Sequence, residues 1–143
     1  MTTDVESSRL PAVLFLCIHN AGRSQMALGW FEHLSGGRAR GYSGGSEPAE
    51  SVNPVAVAAM AEIGIDIAGK IPRRWSQSDL EAADVVVTMG CGDACTYVPG
   101  IRYEDWPLDD PAGQPIEMVR RVRDEIGSHV EKLLAELGVS RPA

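Results

Sequence analysis

A cysteine and an arginine that enclose five residues, with a serine directly after, are the part of this sequence best equipped for chemistry: Cys17-Ile18-His19-Asn20-Ala21-Gly22-Arg23-Ser24. A loop of that length can wrap a tetrahedral oxyanion, its backbone N–H groups turned inward and the positive end of a following helix beneath it. Arg23 can fork two donors onto two ligand oxygens, and Ser24 can hydrogen-bond the sulfur. Asn20 and Gly22 are residue types that accept unusual backbone angles. Cys17 is then expected to act as a thiolate that attacks the central atom of the bound anion in line. Two further thiols, Cys91 and Cys95, stand four residues apart, and Asp109-Asp110-Pro111 supplies adjacent carboxylates. Zinc would also use a cysteine pair, but neither a second C-x2-4-C nor an H-x3-5-H accompanies it, so no metal and no other cofactor is expected.

These groups need elements to carry them. Residues 12–17, Ala-Val-Leu-Phe-Leu-Cys, form an apolar run without polar alternation, the pattern of a central parallel strand buried on both faces. Met26, Trp30 and Leu34 recur at four-residue spacing and predict a helix over residues 24–34, ended by Gly36-Gly37. Residues 39–43 read as a second strand closed by Gly44-Gly45, despite the unfavourable Arg38, Arg40 and Gly41. Asn53-Pro54 caps a helix that runs to Gly64. A short helix over residues 78–83, a Val-rich strand over 84–89 and a strand over 101–105 follow. A long last helix carries Val119, Val122, Ile126, Val130, Leu133 and Leu137 on one side, with Arg120, Arg121, Arg123, Asp124 and Glu125 mostly on the solvated side. Alternating strands and helices predict an α/β fold, a four-stranded parallel sheet in three α/β/α layers. Ligands bind such sheets beyond the carboxyl ends of the strands, where residues 17–24, 90–95 and 109–110 all fall.

The 143 residues hold 13 basic and 20 acidic side chains, a formal charge of −7 that repels nucleic acid and anionic membranes, so neither is an expected partner. The longest apolar run falls far short of the roughly 20 residues that span a bilayer. Residues 1–10 carry Asp4 and Glu6 and have no apolar stretch before a small-residue cleavage site, so a frayed end is expected rather than a signal peptide. Three cysteines do not suit a secreted disulfide framework, and the cytoplasm is the expected compartment. One domain over residues 12–138 is expected between a flexible N-terminus, 1–11, and a tail, 139–143.

The chain resembles the low-molecular-weight tyrosine phosphatase superfamily, and within it the thiol-dependent arsenate reductases, over nearly all of residues 12–137. The resemblance rests on C-I-H-N-A-G-R-S-Q-M-A, Y-S-G-G, N-P-x-A, G-I-D-I, D-V-V-V-T-M, W-P-L-D-D-P-A, R-V-R-D-E-I and the paired cysteines. It implies that residues 17–24 bind arsenate, with sulfate or phosphate as mimics, and that Asp110, the aspartate before Pro111, is the general acid. Asn20 and Ser43 are implied as supports of the loop. Cation-binding relatives have an acid four positions after the loop serine; that position here is Leu28, which argues against a bound potassium ion.

The thiols then suggest a relay. Cys17 forms an arsenate adduct, Cys91 attacks the Cys17 sulfur and expels arsenite, and Cys95 takes over the disulfide for thioredoxin to reduce. The resemblance thus implies an arsenic-detoxifying oxidoreductase. Thioredoxin-coupled relatives separate the later cysteines more widely, whereas shorter spacings occur in relatives that use a small thiol such as mycothiol, which needs Cys17 alone. A tyrosine phosphatase is the other enzyme alternative, although such relatives follow the acid with Pro-Tyr-Tyr and this chain has Pro111-Ala112-Gly113. A non-catalytic oxyanion sensor is the alternative from another class. His19 could touch the anion or point outward, His33 and His129 read as surface groups, and Trp106 as a wall under the acid loop.

Overall fold

The computed structural model describes residues 10–89 and 98–139. The chain runs β1 (Ala12–Cys17), α1 (Arg23–Ser35), β2 (Arg40–Gly45), α2 (Pro54–Ala61), α3 (Gln77–Ala82), β3 (Val85–Thr88), β4 (Arg102–Asp105) and α4 (Ile116–Glu136). All pairings are parallel, in the order β2-β1-β3-β4. The apolar runs therefore become the two central strands, because only strands buried on both faces can dispense with polar alternation. Every residue of β1 is buried. Cys91 and Cys95 lie outside the described residues.

The two faces of the sheet are covered unequally. Val13, Phe15, Cys17, Val85 and Val87 face the larger core, with Met26, Phe31, Met60, Val119, Val122 and Ile126 from α1, α2 and α4. Leu14, Leu16 and Val86 face a smaller cluster with Leu80 of α3 and the half-buried Trp75 and Tyr103. Among the described residues no helix is long and apolar enough to cross a membrane.

Three expectations need correction. Gly44-Gly45 does not close β2 as a turn; both glycines are strand residues, paired with Leu16 and Cys17. They are needed for close approach: a Cβ on Gly44 would lie 3.0 Å from Trp75 Cβ, and one on Gly45 only 2.5 Å from the carbonyl oxygen of Ile18. Arg123 is buried rather than solvated, because α4 turns it onto the end of α2, where Nη1 donates to the Ala59 carbonyl at 2.8 Å and to Glu62 at 2.8 Å. His129 is not a bare surface group. Its half-buried ring stacks on Trp106 at 4.8 Å between centroids, and Trp106 is buried against Phe15.

Candidate active site

Beyond the carboxyl end of β1 the chain enters the loop at residues 18–22 and then α1, whose N-terminal residue follows Gly22. The register of β1 with β2 sets Cys17 beside Gly45. A strap, residues 47–53, holds the loop from one side: the Ile18, His19 and Ala21 carbonyls accept from the backbone N–H groups of Glu47, Ala49 and Asn53 at 2.8, 3.0 and 2.8 Å. Because N–H and C=O point in opposite directions across a trans peptide, the amides of His19, Asn20 and Gly22 are turned away from the strap. The first-turn amides of α1 have no intrahelical acceptors and add to the positive potential there.

Behind the loop lies a buried chain of polar side chains. Cys17 Sγ is 2.9 Å from Ser24 Oγ, and Asn20 Nδ2 donates to the same hydroxyl at 2.7 Å. Since Ser24 Oγ already accepts from Asn20, its single O–H is left to donate to the sulfur. Asn20 has φ +50° and is wholly buried. Its strained conformation is held by its Oδ1, which accepts from Gln25 Nε2 at 3.1 Å and from the backbone N–H of Arg73 at 2.9 Å.

Arg23 closes the front of the site. Its side chain is buried, Nη1 donates to the Leu108 carbonyl at 3.4 Å and Nη2 lies 3.7 Å from Asp110 Oδ2. Asp110 is exposed, with Oδ1 accepting from the N–H of Ala112 at 3.0 Å in an Asx turn. Pro111 is buried over Gly22, where a Cβ would come within 3.1 Å of its ring. This contact seats the Asp110 segment on the loop. Cys17, His19, Ala21, Gly22, Arg23 and Asp110 line one cleft of about 290 Å³. Its remaining walls among the described residues are Ala49, Asn53, Pro111, Ala112 and Gly113. The site thus sets a buried thiol, a guanidinium and the loop amides beside a carboxyl group at the opening.

The loop residues, Arg23, Ser24 and Asp110 are brought together; Cys91 and Cys95 fall outside the described residues. Asp109 is exposed and does not line the cleft. His19 is exposed, and its Nδ1 is 3.0 Å from the Glu47 carbonyl oxygen, so the ring is anchored to the strap. Ser43 is buried, and its carbonyl accepts from Arg73 Nη1 at 2.8 Å. Leu28 is buried on α1, among the residues around a second hollow with Gln25, Ser43 and Arg73. Sequence reasoning missed Arg73, Gly45 and the strap, including Asn53 as a cleft wall. Only the Gly-Gly pair carried a signal, and it pointed to a turn.

Comparison with known proteins agrees with this fold. The profile of the family described as low molecular weight phosphotyrosine protein phosphatase matches residues 12–142. Arsenate reductase 2 of Staphylococcus epidermidis is 44% identical over 123 residues, covering 83% of this chain and 92% of its own. The structure of a thioredoxin-dependent arsenate reductase of Corynebacterium glutamicum aligns with a TM-score of 0.82 at 34% identity over 95% of this chain. This chain spans 66% of that longer one, just under two thirds of it. An arsenate reductase solved in a phosphate-binding state aligns with a TM-score of 0.77 at 36% identity, covering 91% of this chain and 99% of its own. With a Cys-x5-Arg loop between β1 and α1 and a matching profile over nearly its whole length, the chain belongs to the low molecular weight phosphotyrosine protein phosphatase family.

Proposed function

We propose that the protein reduces arsenate to arsenite and serves arsenic detoxification in the cytoplasm. The observation that carries this reading is the fixed Asn20-Ser24-Cys17 hydrogen-bond chain, which aims an O–H at the sulfur in a cleft shared with Arg23 and Asp110. Arsenate lies against the loop amides and Arg23. The Cys17 thiolate attacks arsenic, Asp110 protonates the departing oxygen, and a thiol-arsenate adduct with water results. Cys91 then attacks the Cys17 sulfur; the S–As bond breaks with its electron pair moving to arsenic, which leaves as arsenite, As(III), and a Cys17–Cys91 disulfide remains. Cys95 attacks Cys91, frees Cys17 and leaves Cys91–Cys95 for thioredoxin to reduce. The arsenate reductases among its relatives support the substrate, and the thioredoxin-dependent Corynebacterium enzyme supports the electron donor.

Two alternatives remain on specific observations. The four-residue interval between Cys91 and Cys95 favours a small thiol such as mycothiol attacking the adduct directly. The family's name favours phosphate-ester hydrolysis, against which stand the small walls Ala49, Ala112 and Gly113 and the Pro111-Ala112-Gly113 that follows Asp110 in place of Pro-Tyr-Tyr. Incubation with arsenate and no reductant, followed by disulfide mapping by mass spectrometry, tests the relay: Cys17–Cys91 and Cys91–Cys95 are both expected. Hydrolysis of p-nitrophenyl phosphate much faster than arsenate reduction would turn the assignment to a phosphatase.

A further inference from the structure

The polarity of the hydrogen-bond chain that ends on Cys17 is not settled by the side chains that compose it. Asn20 and Gln25 are primary amides, and either can turn over and exchange donor for acceptor with almost no change of shape. If Asn20 turned, Oδ1 would face Ser24, and the hydroxyl would donate to Asn20 instead of to the sulfur. Gln25 would have to turn with it: its buried Oε1 has no partner among the described residues and would accept from a turned Asn20, but only at the cost of the Nε2 bond to the Asn20 backbone carbonyl at 3.1 Å. The anchor that cannot turn at all is the backbone N–H of Arg73, a group that can only donate, 2.9 Å from Asn20 Oδ1. With Gln25 it keeps Oδ1 on that side, Nδ2 toward Ser24 and the Ser24 O–H toward Cys17.

That N–H is placed by its own side chain. Residues 73–75 lie beside the end of β2, with Gly45 N donating to the Arg73 carbonyl at 2.9 Å and Trp75 N to the Gly45 carbonyl at 3.2 Å. Nearby packing is poor: Ile71 is 77% exposed, and a hollow of about 200 Å³ opens between Arg73, Ile71, Lys70 and Gln25. The guanidinium spans the gap. Nη1 donates to the Ser43 carbonyl on β2 at 2.8 Å, and Nη2 reaches both Asp79 oxygens on α3 at 3.0 and 2.9 Å. Burial pushes the Asp79 carboxyl up, but the Ser76 N–H and the Arg73 guanidinium outweigh it and hold the carboxyl below its ordinary range.

We infer that Arg73 is a positioning residue for the nucleophile: its guanidinium pins residue 73 between β2 and α3, so that its backbone N–H, alongside Gln25, holds the direction of the Asn20-Ser24-Cys17 chain. The inference rests on Cys17 being the nucleophile of an anion site, as proposed above, and not on which oxyanion it takes. Its test is the rate of iodoacetamide alkylation at Cys17, followed on the Cys17 peptide by mass spectrometry, with and without inorganic phosphate. Arg73→Met is expected to slow alkylation about tenfold, the effect of withdrawing one hydrogen bond from a charged acceptor. Arg73→Lys, which can reach Ser43 or Asp79 but not both, should be intermediate. Millimolar guanidinium chloride should restore part of the rate in Arg73→Met. Because the effect passes through Ser24, Arg73→Met should have less than about a twofold effect in a Ser24→Ala background. An equal loss in both backgrounds, or a fall in melting temperature with the alkylation rate of the folded protein unchanged, overturns the positioning role. If phosphate fails to protect Cys17 in the wild-type protein, the anion-site reading fails instead.

Discussion

Replacing Gly45 by alanine presses a single methyl group into the wall of the oxyanion loop. The new Cβ would stand 2.5 Å from the Ile18 carbonyl oxygen, 3.0 Å from the backbone nitrogen of Asn20 and 3.1 Å from its Cβ. Reaching an ordinary contact of roughly 3.5 Å requires the loop backbone to retreat by roughly 1 Å, since β2 is held by its ladder to β1. That retreat drags on the Glu47 N–H bond to Ile18 and the Asn20 side-chain bonds, and it shifts the amides that face the anion. Misplacement of about 1 Å at a reacting centre costs on the order of a hundredfold in rate. We therefore expect Gly45→Ala to lower kcat/KM for arsenate about a hundredfold and to weaken phosphate protection of Cys17. Gly41→Ala is the control. Its Cβ would meet Leu28 and Phe31 side chains at 2.8 Å, within the core and not at the loop, so it should lower the melting temperature more than the activity per folded molecule. Wild-type kcat/KM in Gly45→Ala would refute the claim that this glycine sets the loop.

Three more outcomes follow from the same geometry. Asp110→Asn should lower kcat by about 10²- to 10⁴-fold while phosphate still protects Cys17, as removal of an acid that does not bind the anion requires; turnover near wild type would exclude it as the acid. Cys95→Ser should abolish thioredoxin-fed turnover and leave Cys17–Cys91 trapped, whereas full thioredoxin-fed activity would eliminate the three-thiol relay. The Glu62 carboxyl is lowered from 4.5 to about 2, chiefly by the Arg120 hydrogen bond, against burial and with Arg123 adding to it. A carboxyl lowered in the folded state stabilises fully above its unfolded value and loses that stabilisation as pH falls through its folded value. Glu62→Gln should therefore melt below wild type at pH 7, with the difference closing between pH 4.5 and about 2; a difference independent of pH would show that the ion pairs with Arg120 and Arg123 add nothing.

Local sequence determined the elements and the loop. An unbroken apolar run such as Ala12–Cys17 has no polar side to show to water, so it could only be a central strand, and Val119, Val122, Ile126 and Val130 could share a face only on a helix. The Cys17-to-Arg23 spacing is itself local, and the N-terminus of α1 places its dipole there with no help from distant residues. Tertiary structure alone decided which distant groups complete the site. Whether Gly44-Gly45 turns the chain or lets two backbones meet depends on what lies opposite, and the Ile18 carbonyl is 27 residues away in the chain. Arg123 looks solvated by its type and is buried because Ala59 and Glu62 offer acceptors from another helix. Arg73 has no local pattern at all: its part in the site comes from Asn20, Ser43 and Asp79, which meet only after the parallel crossovers have closed. Hydrogen bonds depend on direction and distance, which sequence periodicity does not encode, so Ser24 and Asn20 are legible from the loop motif while Arg73 becomes visible only in three dimensions.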